Sequence, residues 1–211
     1  FMSAFDSINH RGPDSSGLFD SEHLLLGHKR LSIIDLNSRS DQPFSDEKSW
    51  LLFNGEIYNY QHLRNELIVE FGCAFHTDGD TEVLFYGLKY EGDNFISKID
   101  GMFAIFFMSE TGKVILARDQ FGQKPLFYGF NNRQKLVFGS ELSPILDLLR
   151  PTGLSINRGA FHEYFQFGAS IAPSTFYNEV HQVCPGEIVS ICANEGILKK
   201  EYWHDSTRDI A

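Results

Sequence analysis

The apolar positions fall into runs with legible periods. Phe1, Met2, Phe5 and Ile8 share one helical face. Gly12-Pro13 ends that helix, because glycine suits a left-handed terminus and proline cannot continue. Ser15-Ser16-Gly17 continues as loop, and residues 24–28 read as a strand, with apolar character resuming at 31–34 past Arg30. Residues 37–48 are polar, carry Pro43 and read as a loop. Residues 49–53 form a strand that Asn54-Gly55 should end, since both residues tolerate a positive φ. No second strand follows. Leu63 and Leu67 instead predict a helix to about Phe71. After a turn at Thr77-Asp78-Gly79-Asp80, Val83, Leu84 and Leu88 predict a helix over 81–90.

Residues 102–108, Met-Phe-Ala-Ile-Phe-Phe-Met, are apolar without alternation, which predicts a strand covered on both faces. Residues 114–117 make its hairpin return, and 118–128 lead on to further strands. Asn131-Asn132 is a turn and 136–138 a strand. Leu142, Ile145, Leu146 and Leu149 mark a helix stopped by Pro151 and Gly153. A helix over 160–167 and strands over 186–191 and 197–203 complete the pattern. Short hairpin strands mixed with a few helices predict an α+β fold, and two covered sheets stacked on one another would use the 20 phenylalanines.

The 211 residues suit one large domain or two small ones, with no repeat or convincing linker. A formal net charge of −10 argues against nucleic-acid binding. No stretch approaches the roughly 20 apolar residues of a membrane span, so no membrane partner is expected. Cys73, Cys184 and Cys192 are too few and too scattered for a disulfide framework, which favours a reducing, cytoplasmic compartment. No pair of histidines has a compact ligand spacing, and no metal site is assigned. Phosphate-loop, calcium-loop and serine-elbow patterns are absent.

Three places carry candidate chemistry. Asn54-Gly55 offers an amide side chain and a bare backbone N–H at a strand end, either for an oxyanion or as a plain tight turn. Arg30 can grip a carboxylate through two hydrogen bonds or serve structure. Asp80 can cap the following helix or bind an ammonium group. Taken singly, each residue favours its structural role.

Together they stand within a longer series: His10-Arg-Gly-Pro-Asp14, Gly27-His-Lys-Arg-Leu-Ser-Ile-Ile-Asp35, Gln42-Pro43, Asn54-Gly-Glu-Ile-Tyr-Asn59, Asp80-Thr-Glu-Val83, Asp100-Gly-Met-Phe-Ala104, Ala117-Arg-Asp119, Lys124-Pro-Leu126 and Ser140-Glu141. In this order they resemble the glutamine amidotransferase domain of glutamine-dependent asparagine synthetases, with a looser match after Pro151. The resemblance implies an N-terminal-nucleophile hydrolase fold, a four-layer αββα sandwich spanning 1–211, that hydrolyses glutamine to glutamate and ammonia. It implies that Arg30 holds the substrate α-carboxylate, and that Asp80 with Gly55-Glu56 holds the α-ammonium. Leu31, Ile33 and Ile34 would line the pocket, and Asn54 with the Gly55 N–H would stabilise the oxyanion.

The family's nucleophile is an N-terminal cysteine whose own amine is the base. This chain begins at Phe1, and none of its three cysteines has that placement. Two readings follow. The chain is an active domain without its start, or it is a silent module, as in the β-lactam synthetases, that docks a partner or binds glutamine. The retained Arg30, Asn54, Gly55 and Asp80 favour the first. The expected parent is a glutamine-hydrolysing asparagine synthetase whose synthetase domain, with ATP and magnesium, lies beyond Ala211. An amidotransferase for another acceptor is the alternative, and a homodimer is left open. The 211 residues alone are expected to be inactive.

Overall fold

The computed structural model describes residues 1–30 and 41–203. Leu31, Ile33 and Ile34 lie outside the described residues. The chain divides into two compact units, Phe1–His10 with Pro125–Cys184 and Arg11–Lys124 with Pro185–Ala211. Each is assembled from two separate stretches, which is why no linker is legible.

In the larger unit, strands β1 (Ser15–Asp20) and β2 (Leu25–Arg30) form a hairpin. The polar run at Ser15-Ser16-Gly17, expected to be loop, is the start of β1. It alternates half-buried and exposed residues, so no apolar run marked it. Strands β3 (Phe44–Ser45), β4 (Trp50–Ile57), β5 (Gly101–Met108) and β6 (Val114–Arg118) belong to a six-stranded antiparallel sheet. A short 3₁₀ stretch, Gly92–Lys98, precedes β5. Helices α1 (Met2–Asp6), α2 (Tyr60–Phe71) and α3 (Asp80–Glu91) come next in the numbering, and α1 lies in the smaller unit.

In the smaller unit, β7 (Phe127–Phe130), β8 (Leu136–Gly139) and β9 (Val180–Gln182) form a sheet in the order β8-β7-β9. Helix α4 (Leu142–Leu149) supplies Ile145 and Leu149 to that unit's core with Val180. Helix α5 (Arg158–Phe167) follows, its first turn capped by the Asn157 side chain. The larger unit is completed by β10 (Glu187–Cys192) and β11 (Gly196–Glu201), which extend its sheet to β11-β10-β6-β5-β4-β3.

That unit's core explains the apolar runs. Leu51, Phe53 and Ile57 of β4, Phe103, Ile105 and Phe107 of β5, and Leu63, Leu67, Val83, Leu84 and Leu88 of α2 and α3 form one buried cluster. The intervening Ala104 and Phe106 are buried as well, so β5 is covered on both faces, as its lack of alternation requires.

One expectation at the centre is corrected. Asn54-Gly55 does not end β4: the strand runs on to Ile57, and Gly55 pairs with Phe103. Glycine is needed for close approach, since a Cβ there would lie 2.0 Å from the Met102 carbonyl oxygen. Pairing with a strand about 50 residues away overrides the local Asn-Gly turn preference.

Candidate active site

The site is built along the outer edge of β4. In an antiparallel pair, residues alternate between hydrogen-bonding to the neighbouring strand and facing away from it. Phe103 directs both its peptide groups at Asp119: its N–H donates to Asp119 Oδ2 at 3.2 Å, and its carbonyl accepts the Asp119 N–H at 2.9 Å. Opposite it, Gly55 therefore turns its N–H and carbonyl away from β5, and so do Phe53 and Ile57 two residues to either side. Strand β3 is only two residues long and pairs with Trp50 and Leu51. Past Leu51 this edge is served by side chains.

Gln42 serves Phe53. Its Oε1 accepts the Phe53 N–H at 2.6 Å and its Nε2 donates to the Phe53 carbonyl at 2.9 Å, with Gln42 buried. Asp80 serves Ile57, whose N–H donates to Asp80 Oδ2 at 3.0 Å. Gly55 stands between them, about 7 Å from each along the strand. The side chains of Asn54 and Glu56 alternate to the opposite face from the core residues Phe53 and Ile57.

Asp80 is the first residue of α3 and not its cap, which is Gly79. The segment leading to it is held on both sides. Glu82 accepts the backbone N–H groups of His76 and Thr77 and the Thr77 hydroxyl, and Arg64 Nη1 donates to the Thr77 carbonyl at 2.8 Å. Burial pushes the Asp80 carboxyl above its ordinary value. The N–H groups of Ile57, Asp80 and Thr81 oppose that shift, and Glu56 adds to it. A cation brought beside Asp80 would favour its ionised form.

Arg30 ends β2 and is almost fully buried. Its Nη1 donates to Asp41 Oδ1 at 2.7 Å, and the same oxygen accepts the Ser15 hydroxyl at 3.2 Å. Asp41 precedes Gln42, so Arg30 is joined to the β4 edge through two consecutive residues. The hairpin also comes close at Gly17, where a Cβ would lie 1.8 Å from the Gln42 carbonyl oxygen. Asp80 is thus bonded to the β4 edge that carries Asn54, Gly55 and Glu56, and Arg30 is linked to that edge through Asp41 and Gln42. Asp41, the Gln42 clamp and His28 were not singled out from the sequence as site residues. The Gln42-Pro43 pair and the Gly27-His28 start of a longer run were the available signals, and periodicity cannot reveal a side chain standing in for a strand.

His28 faces Gly17 in the hairpin register and hydrogen-bonds the Phe53 carbonyl. Its Nδ1 is buried with no partner among the described residues. Burial, aided by the nearby Arg30 charge, holds its pKa down to about 4. In the unfolded chain a histidine takes a proton near pH 6.5, but the native ring stays neutral until about pH 4. This contribution is complete above pH 6.5 and is lost as pH falls toward 4, amounting to roughly 3 kcal/mol. Urea titrations at pH 7 and pH 4 should show it: a His28→Gln variant should lose distinctly less stability over this range than the wild type. Equal losses would show that His28 does not titrate this way.

The cysteines stand elsewhere. Cys73 is buried after α2, and burial raises its thiol pKa. Cys192 ends β10, three places from β4 in the sheet order. Cys184 lies in the smaller unit. Among the described residues, no group of three or more His, Cys, Asp or Glu is placed to hold a metal ion, and no helix is long and apolar enough to cross a membrane.

A family model described as a glutamine amidotransferase domain matches residues 1–203. The chain belongs to that family. This amidotransferase domain is 41% identical over 206 residues to "Asparagine synthetase [glutamine-hydrolyzing] 1" of Bacillus subtilis, covering 96% of the chain and 32% of that relative. It is 34% identical over 206 residues to "Amidase chry2" of Gibberella zeae, covering 95% of the chain and 29% of that relative. The chain therefore spans about a third of the length of these curated relatives. Among solved structures, the glutamine phosphoribosylpyrophosphate amidotransferase of B. subtilis matches with a TM-score of 0.66 at 22% identity, over 96% of this chain and 46% of that one. That likeness concerns the fold: mixed helices and antiparallel sheets, with the sheets flanked by helices.

Proposed function

We propose that this amidotransferase domain hydrolyses glutamine to glutamate and ammonia, and that its parent protein delivers the ammonia to aspartate in an ATP-dependent asparagine synthesis. The observation that carries the reading is the outer edge of β4, where the Gly55 peptide lies between a Phe53 held by Gln42 and an Ile57 held by Asp80. An amino-acid substrate fits this edge. Arg30 takes the α-carboxylate. Asp80 takes the α-ammonium together with the Gly55-Glu56 segment, and the ammonium restores the ionised form that burial opposes. The Asn54 amide and the Gly55 N–H receive the oxygen that becomes negative as the side-chain carbonyl is attacked.

The attacking group is an N-terminal cysteine thiolate, with the terminal amine as base. In this reading none of Cys73, Cys184 and Cys192 takes that role, and an assay of the 211 residues alone should detect no glutamate release. ATP and magnesium belong to a synthetase portion of the parent protein, and the cytoplasm is the proposed compartment. One observation favours a second acceptor class: the similarity to the Gibberella zeae amidase, which leaves an amidotransferase acting on something other than aspartate as the runner-up.

The test is glutamate release from glutamine by the full-length gene product. Turnover is expected. Asn54→Ala should lower kcat by about 10²–10³ through loss of one oxyanion donor. A well-folded full-length protein that releases no glutamate would leave the silent module as the better reading. Glutamate release coupled to ATP but independent of aspartate would point to the other acceptor.

A further inference from the structure

We propose that the Asp41-Gln42 dipeptide is the positioning element that sets the carboxylate grip and the oxyanion corner relative to each other. The inference rests on the function proposed above.

Gln42 does the work of a missing strand. A neighbouring strand would offer Phe53 one acceptor and one donor, and the Gln42 carboxamide offers both, at 2.6 and 2.9 Å. Phe53 immediately precedes Asn54, so its peptide fixes where the Asn54 amide and the Gly55 N–H stand. Donors of this kind must be held to about 0.5 Å of the productive geometry. Without Gln42, the Phe53 N–H would lose its acceptor, and between Leu51, the last residue β3 pairs with, and Ile57, which Asp80 holds, only His28 would remain on the Phe53 carbonyl. The backbone of Gln42 is located in turn by β1, whose Gly17 lies against the Gln42 carbonyl.

Asp41 acts on the other end. Its Oδ1 accepts from both Arg30 Nη1 and the Ser15 hydroxyl, which fixes one arm of the guanidinium against the hairpin. Neither residue is needed to touch the substrate. The two side chains act on separate targets, and one peptide unit joins the residue that holds the carboxylate grip to the residue that holds the oxyanion corner.

The two halves make different kinetic predictions, which a purely structural role would not. In the full-length protein, Gln42→Met keeps the volume and removes both hydrogen bonds. It should lower kcat for glutamine hydrolysis by about 10²-fold through misplacement of the oxyanion donors, with KM for glutamine within about twofold of wild type. Gln42→Glu keeps the acceptor for the Phe53 N–H but turns a second carboxylate oxygen on the Phe53 carbonyl in a buried site, and should lower kcat at least as far as Gln42→Met. Asp41→Ala should raise KM about tenfold, the worth of one charge-assisted hydrogen bond, and leave kcat within about twofold. Melting temperatures are measured alongside. Variants that match wild type, or in which kcat and KM change together in step with lost stability, would overturn the inference while leaving the proposed function in place. A wild-type protein that releases no glutamate would remove the proposed function, and this inference with it.

Discussion

Gly55→Ala should cost this protein its stability and its site together. The added Cβ would lie 2.0 Å from the Met102 carbonyl oxygen and 2.8 Å from the Phe103 Cα, both backbone atoms of the adjoining strand. A flexible side chain could swing aside, but a carbonyl in the β4–β5 ladder can retreat only if the strands part. These strands run together from Trp50 opposite Met108 to Ile57 opposite Gly101, and they carry much of the larger unit's core. Overpacking ordinarily costs about 1–3 kcal/mol, and a backbone clash with no soft direction should reach about 4 kcal/mol. For a chain of this size that lowers the melting temperature by roughly 8–16 °C. Gly139→Ala is the control: its added Cβ would meet nothing closer than 3.7 Å and should be tolerated. Thermal denaturation followed by circular dichroism separates the two. Equal melting temperatures for both variants would mean that β4 and β5 are not as close as described.

The second large effect belongs to Asp119. This carboxylate is fully buried and accepts four backbone N–H groups: Phe103 and Lys124 at Oδ2, and Phe121 and Gln123 at Oδ1, at 3.0 to 3.2 Å. It closes the loop after β6 and anchors Phe103, the residue opposite Gly55. Arg118 holds the same loop from the other side, donating to the carbonyls of Gly122 and Lys124. Asp119→Ala leaves these donors without an acceptor in a site closed to water. One orphaned buried donor costs about 1–3 kcal/mol, and breaking a buried charged cluster costs roughly 3–5 kcal/mol. Asp119→Asn should be milder, because one oxygen remains an acceptor while the new NH₂ faces other donors. Urea unfolding of the three proteins checks the order wild type, Asn, Ala. A loss below about 1 kcal/mol for Asp119→Ala would show that the loop finds other partners.

What could be read from the chain follows from what is local. The helices at Leu63 and Leu67, at Val83, Leu84 and Leu88, and at Ile145 and Leu149 were legible because one apolar stripe specifies one buried face. The burial of β5 on both faces was legible from its composition alone. The family was legible from motifs in register, since each motif is a short contiguous run that can be read without knowing what it packs against. The strand β1 was not: its first three residues, Ser15-Ser16-Gly17, are polar or small, Leu18 is exposed, and it exists because β2 pairs with it. Asn54-Gly55 misled because a dipeptide preference worth little was set against eight consecutive pairings with β5.

The sequence by itself determined which residues are candidates for the chemistry: the Arg30 guanidinium, the Asp80 carboxylate, the Asn54 amide, and Gly55 with no side chain in the way. Only the tertiary structure decided that Asn54 and Gly55 lie on the β4 edge between a peptide bonded to Gln42 and one bonded to Asp80, and that Asp41 joins Arg30 to the residue beside that edge. The reason is physical. Hydrophobic period is written into neighbouring residues, whereas a hydrogen bond from a side chain to a distant peptide depends on which backbone groups the sheet leaves over, and that is settled only when the strands have paired.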